Sequence, residues 1–308
     1  MFGRILGHIS KRSLQISGIV VLTILVVFFA ATRSQVGRDE LKRQIENSFN
    51  TAFQGHLSID RLTGNLLYTL YAEHVQLTAP NGELIATIDS VVIEPRWQDL
   101  LQRTFSVKSI SLHHPVFEIS GDENGQLNLN QALQPRARDS VSIGSDWTFK
   151  SATLHIENGH LLTRNLGDPN DISDPNRVFD FANASFDDLN LDARIDWDAP
   201  HGQIDLLGFS GFLDNGRLRI SGQPTQLIIQ GPRLSVNNFI FTLGSSTFNL
   251  NGFANILQSV DNQDWWDVPF LADLVQSHIS FDELKTLFPS IPLSGEATVS
   301  ALDRKSVV

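Results

Sequence analysis

Histidines and carboxylates are the residues best able to do chemistry in this chain, because the sequence contains no cysteine. That absence excludes disulfides, thiolate metal ligands and cysteine nucleophiles. His113 and His114 are adjacent, and imidazole is a common metal ligand. Neighbouring side chains of a strand point to opposite faces, so this pair cannot easily share an ion. No third ligand is placed nearby, and we expect ordinary strand histidines and no metal site.

Two acidic clusters are the next candidates. Residues 168–176 form a polar loop that resembles a calcium loop, but the glycine of the EF-hand pattern is missing. Its oxygens would come from Asp168, Asn170, Asp171 and Asp174. A second cluster has carboxylates spaced for acid–base chemistry: Asp192, Asp196, Asp198 and His201. Asp192 and Asp196 alternate with apolar residues, which favours a charged outer face of a strand.

The sequence contains none of the short motifs that carry well-known catalysis. A nucleophile elbow, a phosphate-binding loop, a zinc-protease helix and a dinucleotide-binding loop are all missing. We therefore expect no enzyme, no cofactor and no metal. An envelope hydrolase whose site is assembled from distant residues stays open as an alternative.

Strict alternation of apolar and polar residues is the main structural signal. Leu189, Leu191, Ala193, Ile195 and Trp197 alternate with polar or charged residues, which predicts a strand with one dry and one wet face. Similar runs recur along the chain and are separated by turn signals, Asn158-Gly159 and Gly244-Ser245 among them. The short spacing predicts antiparallel neighbours. The segments that begin at Lys108 and Lys150 echo each other, as in a sheet built from repeats.

Helical patterns are few. Leu41, Ile45, Phe49 and Phe53 recur on one face and predict an amphipathic helix within residues 32–54 that covers the core that follows. Short helices are predicted over 96–103 and 128–133. Ser280 to Glu283 reads as a capping box for a further helix that ends near Leu287. No strand–helix–strand rhythm appears, which argues against a doubly wound nucleotide-binding fold.

One long apolar run, residues 14–31, lies near the N-terminus and carries no charge. A helix of this length would span about 27 Å, close to a hydrocarbon core. Phe28 or Phe29 would occupy the −3 position of a cleavage site, which favours an uncleaved anchor over a signal peptide. Basic residues in 1–13 place that end in the cytoplasm, with the remainder across the membrane.

The net charge of −11 limits the range of partners. An acidic body argues against binding nucleic acid, whose phosphates require a basic surface. The pair Trp265-Trp266 lies in an acidic stretch beside several apolar residues. Core packing is one interpretation, and contact with lipid or a partner protein is the other, because amphipathic aromatic residues favour interfaces.

Several segments, taken in order, resemble the TamB/AsmA-like family of bacterial envelope proteins. Residues 55–119 carry a G-x-L-x-I-x-x-L-x-G element, a P-x-G turn, an A-x-I-D strand, a W-x-x-L-L helix and an I-x-L-x-x-P strand. Residues 121–133 resemble the family's G-x-x-N-L element, and 281–301 resemble the helix and strand that open a following unit. FTLGSSTFNLNG resembles another recurrent strand pair.

The resemblance implies a single-pass inner-membrane protein with a periplasmic β-groove, and a role in phospholipid passage between the inner and outer membranes. It also implies assembly of outer-membrane proteins beside a barrel partner. Members are much longer, so we expect this chain to be an N-terminal part of such a protein, with barrel binding left to a missing part. We expect these regions: cytoplasmic 1–13, anchor 14–31, amphipathic helix 32–54, first β unit 55–139, continuing groove 140–260, and helical insertion with the start of a truncated unit 261–308.

The predicted fold class is therefore mainly β: an N-terminal transmembrane helix, then an elongated antiparallel, repeat-built groove with a few short helices. An open apolar groove needs an apolar occupant, and phospholipid acyl chains are the expected one. The predicted groove lining is Leu189, Leu191, Ile195, Trp197, Phe239, Phe241 and Leu243. A scaffold that holds outer-membrane strands on exposed sheet edges is the alternative.

Overall fold

The structure is a computed structural model, and its described part is mainly β, as the alternation predicts. The described residues are 35–65, 68–96, 104–122, 126–136, 148–150, 152–165, 183–198, 201–213, 218–231, 233–255, 270–285 and 292–305. Three described helices accompany the strands: α1 (Gln35–Ala52), α2 (Asn128–Leu133) and α3 (Phe281–Leu284).

The described strands form one 14-stranded sheet. They are β1 (His56–Asn65), β2 (Thr69–Thr78), β3 (Leu84–Pro95), β4 (Thr104–Ser120), β5 (Thr148–Lys150), β6 (Ala152–Arg164), β7 (Ser185–Asp198), β8 (His201–Leu213), β9 (Leu218–Gly222), β10 (Thr225–Gln230), β11 (Arg233–Leu243), β12 (Ser246–Ala254), β13 (Phe270–Ser280) and β14 (Glu296–Lys305). Their order across the sheet is β1-β2-β3-β4-β6-β7-β8-β10-β11-β12-β13-β14, and β5 and β9 lie off this path.

Most neighbouring strands are antiparallel, but β4 and β6 run parallel. Ile110 lies opposite Leu154 in this pair, and Ser111 lies opposite His155. These are the two segments whose sequences echo each other, so the echo marks two adjacent parallel strands. Parallel neighbours require a crossover connection, whereas the other described strands of the main path meet as antiparallel neighbours.

The first two helices agree with the sequence patterns. Leu41 and Ile45 of α1 pack on a cluster that includes Ile59 and Leu62, so the amphipathic face does cover the start of the sheet. The predicted helix over 128–133 is observed as α2, and Ala132 is fully buried in a second cluster.

The predicted capping box before α3 is wrong. Ser280 occupies the N-cap position but its side chain makes no capping hydrogen bond. The Glu283 carboxylate instead accepts hydrogen bonds from the backbone N–H and the hydroxyl of Ser245, 2.5 Å away in each case. Asp282 accepts a hydrogen bond from the Gly295 N–H at 3.0 Å. Both acidic side chains of the predicted capping box therefore bond to residues outside it, and the described helix ends at Leu284.

The predicted turn at Asn158-Gly159 is also wrong, because both residues lie within β6. Asn158 has φ 52°, and the pairing with β7 shifts register beside it, so the dipeptide forms a β-bulge. Left-handed backbone suits Asn both in a tight turn and in a bulge. The bulge N–H donates to the Asn190 side-chain oxygen at 3.1 Å. Comparable register shifts occur beside Asp188, Asn238 and Gln276, each with positive φ.

Within the described part of the chain, no helix combines the length and apolar character needed to cross a membrane. The predicted anchor over 14–31 lies outside the described residues, as do Trp265, Trp266 and residues 97–103 of a predicted helix.

Candidate functional site

The two faces of the sheet differ in chemistry, and strand register identifies them. Residues directly opposite in neighbouring strands point to the same side. Leu191 lies opposite Ile156 on β6 and Phe209 on β8, so these three side chains share a side. We call this side the apolar face. Representative positions on successive strands are Ile59, Val75, Ile88, Leu112, Ile156, Leu191, Ile204, Leu227, Val236, Leu250 and Leu274.

The residues predicted to line a groove lie on this face. Leu189 lies opposite Gly159, and Ile195 lies between Ala152 and Ile204. On β11, three predicted residues are opposite members of β12: Phe239 faces Leu250, Phe241 faces Phe248, and Leu243 faces Ser246. All of them except Trp197 are half-buried, and the side chain of Trp197 lies outside the described residues.

A row of phenylalanines crosses the apolar face from β8 to β12. The ring of Phe209 lies 5.9 Å from that of Phe239, which lies 5.3 Å from Phe241. Phe241 stacks on Phe248 with centroids 4.9 Å apart and planes tilted by 14°. Gly222 makes room for this row, since a Cβ there would lie 2.0 Å from Phe209 Cε1. The alternation signal missed Phe209 because glycines interrupt the pattern of β8.

Described helices cover the apolar face mainly at its N-terminal end. There α1 packs against β1, and its Leu41 and Ile45 contact the cluster that contains Leu62, Ala72 and Val91. The short helix α2 covers Ala79 and Ile85 nearby. Among the described elements, no helix packs on the middle strands β7 to β12. On these strands Leu206, Leu213, Leu218 and Ile229 are buried. The described residues of the predicted lining are half-buried, whereas a closed core would bury them as well.

The opposite face carries cross-strand pairs of a carboxylate with a basic side chain or a histidine, and we call it the polar face. Lys108 Nζ lies 2.7 Å from Glu94 Oε2, and His155 Nδ1 lies 2.6 Å from Asp192 Oδ1. His113 Nδ1 lies 2.9 Å from Glu157 Oε2. Further pairs are Arg61–Glu73, Arg164–Glu118, His160–Asp187, Arg194–Asp205 and His278–Glu296. Exposed pairs of this kind add little stability, but their polar groups favour contact of this face with water.

Two carboxylates of the polar face have lowered pKa values. A hydrogen bond from Lys108 lowers the pKa of Glu94. Side-chain amides of Gln226 and then Gln203 lower the pKa of Asp205, with donor–acceptor distances of 3.1 and 2.8 Å. Both groups are held ionised, as surface acceptors are, and neither is poised to exchange a proton near neutral pH.

The predicted chemical candidates separate in the structure. His113 and His114 have different carboxylate partners, since His114 Nδ1 lies 3.7 Å from Asp89 Oδ2. Asp192 and Asp196 are exposed, as a charged outer face requires. No group of three potential metal ligands occurs within the described residues, and the acidic loop 168–176 lies outside them.

The two edges of the sheet differ. At the β1 edge, Asn50 of α1 accepts from Leu57 N–H at 2.7 Å and donates to Leu57 C=O at 3.2 Å. Glu46 accepts from Ile59 N–H at 2.7 Å, and Lys42 donates to the Asp60 carbonyl at 3.0 Å. The helix thus satisfies backbone groups that an edge strand would leave free. The fourfold spacing of polar residues 42, 46 and 50 was the signal in the sequence that could have indicated this role.

The other edge strand, β14, pairs with β13 alone among the described strands. Its outer row of backbone groups has no described side chain bonded to it. Comparison with protein-family models and with curated proteins yields no match for this chain.

Proposed function

We propose that this protein is a TamB/AsmA-like envelope protein of the bacterial inner membrane, with a periplasmic β-groove that shields phospholipid acyl chains during transfer between the inner and outer membranes. In this proposal residues 14–31 are the single-pass anchor. The groove is elongated and built from repeated strands, and its lining is the apolar face.

One observation carries the proposal: the apolar face continues through the register of the described sheet, and its lining residues on β7 and β11 are half-buried with no described helix packed on those strands. Large contiguous apolar surface in contact with water is unfavourable and marks a binding surface. An acyl chain matches a long apolar strip without polar partners. Each buried methylene contributes about 0.8 kcal/mol, so about eight of them contribute roughly 6 kcal/mol.

Adjacent residues on β11 provide the sharpest test, because they share a backbone environment but point to opposite faces. A photo-crosslinking amino acid at Phe241 would face the apolar lining. At Ile240, opposite Asn249, it would face the polar side. After irradiation of the full chain in envelopes that contain radiolabelled phospholipid, we expect labelled adducts at 241 and background at 240. Equal labelling at both positions, or none at 241, would overturn the proposal.

The outer edge of β14, which pairs with β13 alone among the described strands, favours a second function: a scaffold that holds strands of outer-membrane proteins by β-augmentation. At the opposite end of the strand order, α1 already bonds to the backbone of Leu57 and Ile59 in β1. Strand addition satisfies such a row of N–H and C=O groups. A crosslinker at Glu296 or Thr298 would capture a nascent barrel protein in this case. Capture of acyl chains at 241 with no protein at β14 would favour lipid transport alone.

A further inference from the structure

The end of the sheet at which β1 turns into β2 carries exposed large apolar residues. Tyr68 is 64% exposed and Tyr71 is 42% exposed, and they are the only two tyrosines of the chain. Tyr68 lies in the turn that precedes β2, and Tyr71 lies close to the start of that strand. Val36, in the first turn of α1, is 76% exposed.

Hydrogen bonds between α1 and β1 show that Val36 belongs to the same end. Helix residues 50, 46 and 42 bond to strand residues 57, 59 and 60 in turn, so α1 runs opposite to β1. From Lys42 the helix continues about 10 Å back to Gln35. From Asp60 the strand continues about 16 Å to Asn65. The first turn of α1 and the β1–β2 turn therefore lie near each other.

Few residues separate the apolar run of the sequence from the start of α1. It finishes at Ala31, and α1 begins at Gln35. Four residue steps reach at most about 14 Å, even when fully extended. If residues 14–31 cross a bilayer, as in the proposed function, the start of α1 lies within about 14 Å of the end of that span, and the β1–β2 end of the sheet lies near the start of α1.

Three basic residues of α1 and β1 already have partners. Arg43 pairs with Glu40 at 2.8 Å, Arg61 pairs with Glu73, and Lys42 is used by the β1 edge. Tyrosine has an apolar ring and a polar hydroxyl, a combination that partitions into the headgroup region.

We propose that Tyr68 and Tyr71 form a membrane-contact element, in which both side chains insert into the headgroup region of the bilayer that holds the anchor. This contact fixes the sheet relative to the membrane, with the mouth of the apolar face near the lipid surface. The inference rests on the anchor in the proposed function, but not on lipid occupying the groove.

Because the chain contains no cysteine, a thiol-reactive label attaches only to a cysteine that is introduced. The full chain would be reconstituted in phosphatidylcholine vesicles with bimane at Y68C or, as a matched control, at L133C. Leu133 is also exposed, at 43%, but it lies at the other end of β1. It belongs to α2, in which the Ala132 carbonyl accepts a hydrogen bond from the Gly55 N–H just before β1 begins. Headgroup nitroxide lipid should strongly quench bimane at 68 and leave bimane at 133 unchanged.

Two further readouts complete the test. Tyr71→Ser in the Y68C background should reduce the quenching, and adding phosphatidylglycerol should leave it unchanged, because the contact is not electrostatic. Equal quenching at 68 and 133, or none at 68 in protein that co-sediments with the vesicles, would overturn the inference. Failure of crosslinking at Phe241 would overturn the lipid-groove function and leave this result intact.

Discussion

Replacing Asn50 with alanine should uncover the edge of β1. Asn50 makes two hydrogen bonds to the backbone of Leu57, at 2.7 and 3.2 Å. A hydrogen bond of this kind contributes about 1 kcal/mol net, so their loss costs about 2 kcal/mol. Alanine favours a helix over asparagine by about 0.5 kcal/mol, which leaves a net loss of about 1.5 kcal/mol.

Hydrogen exchange measures this loss where it occurs. If α1 separates from β1 by local opening, a loss of about 1.4 kcal/mol accelerates exchange about tenfold. We therefore expect peptides that contain the Leu57 and Ile59 amides to exchange about tenfold faster in Asn50→Ala, while peptides of β7 and β8 stay unchanged. Mass spectrometry of the full chain in detergent gives both regions in one experiment.

Gln44→Ala is the matched control on the same helix, because the Gln44 amide contacts only Glu40, at 3.5 Å, and both are exposed. It should leave exchange in β1 unchanged. Exchange at Leu57 within twofold of the natural protein in Asn50→Ala would refute the reasoning, because the edge would then be protected by packing of Leu41 and Ile45 alone.

Two other changes test the two faces. Gly222→Val should lower the midpoint of thermal unfolding, because the new side chain would overlap the Phe209 ring and cost about 1–3 kcal/mol of stability. Gly208→Ala is the control and should leave the midpoint unchanged, because the nearest atom to its new Cβ would lie 3.9 Å away. An unchanged midpoint in both variants would contradict the tight contact. Lys108→Met should raise the pKa of Glu94 towards its ordinary value, as followed by carboxyl NMR titration. Because the pKa of Glu94 is lower in the folded protein, its ionised form stabilises the folded state at pH values above the unfolded-state pKa. This stabilisation is lost as the pH falls through the folded-state pKa. Because both side chains are exposed, the loss at neutral pH should be below about 1 kcal/mol. A Glu94 pKa that does not move would exclude Lys108 as the cause.

Local sequence pattern predicted the mainly β fold and the sides of its best-patterned strands. Strict alternation at Leu189 to Ile195 was enough, because side-chain direction in a strand repeats every two residues whatever the partner strand is. The fourfold spacing of Leu41 and Ile45 likewise predicted the covering helix.

Pattern failed where the outcome depends on a distant partner. Asn158-Gly159 permits a left-handed backbone, and only pairing with β7 makes it a bulge where a turn was predicted. Glu283 has the spacing of a capping residue but bonds to Ser245, which lies on another turn. In both cases the competing hydrogen-bond partner is far away in the chain, so no local window of sequence contains it.

By itself, the sequence determined that this chain has a long apolar run followed by strands with one dry side. Tertiary structure decided the rest: which strands are neighbours, that β4 and β6 run parallel, and that α1 bonds to the edge of β1 while β14 pairs with β13 alone among the described strands. The physical reason is that burial preference is a property of each residue, whereas edges, register and exposed surface are properties of pairs brought together by the whole chain.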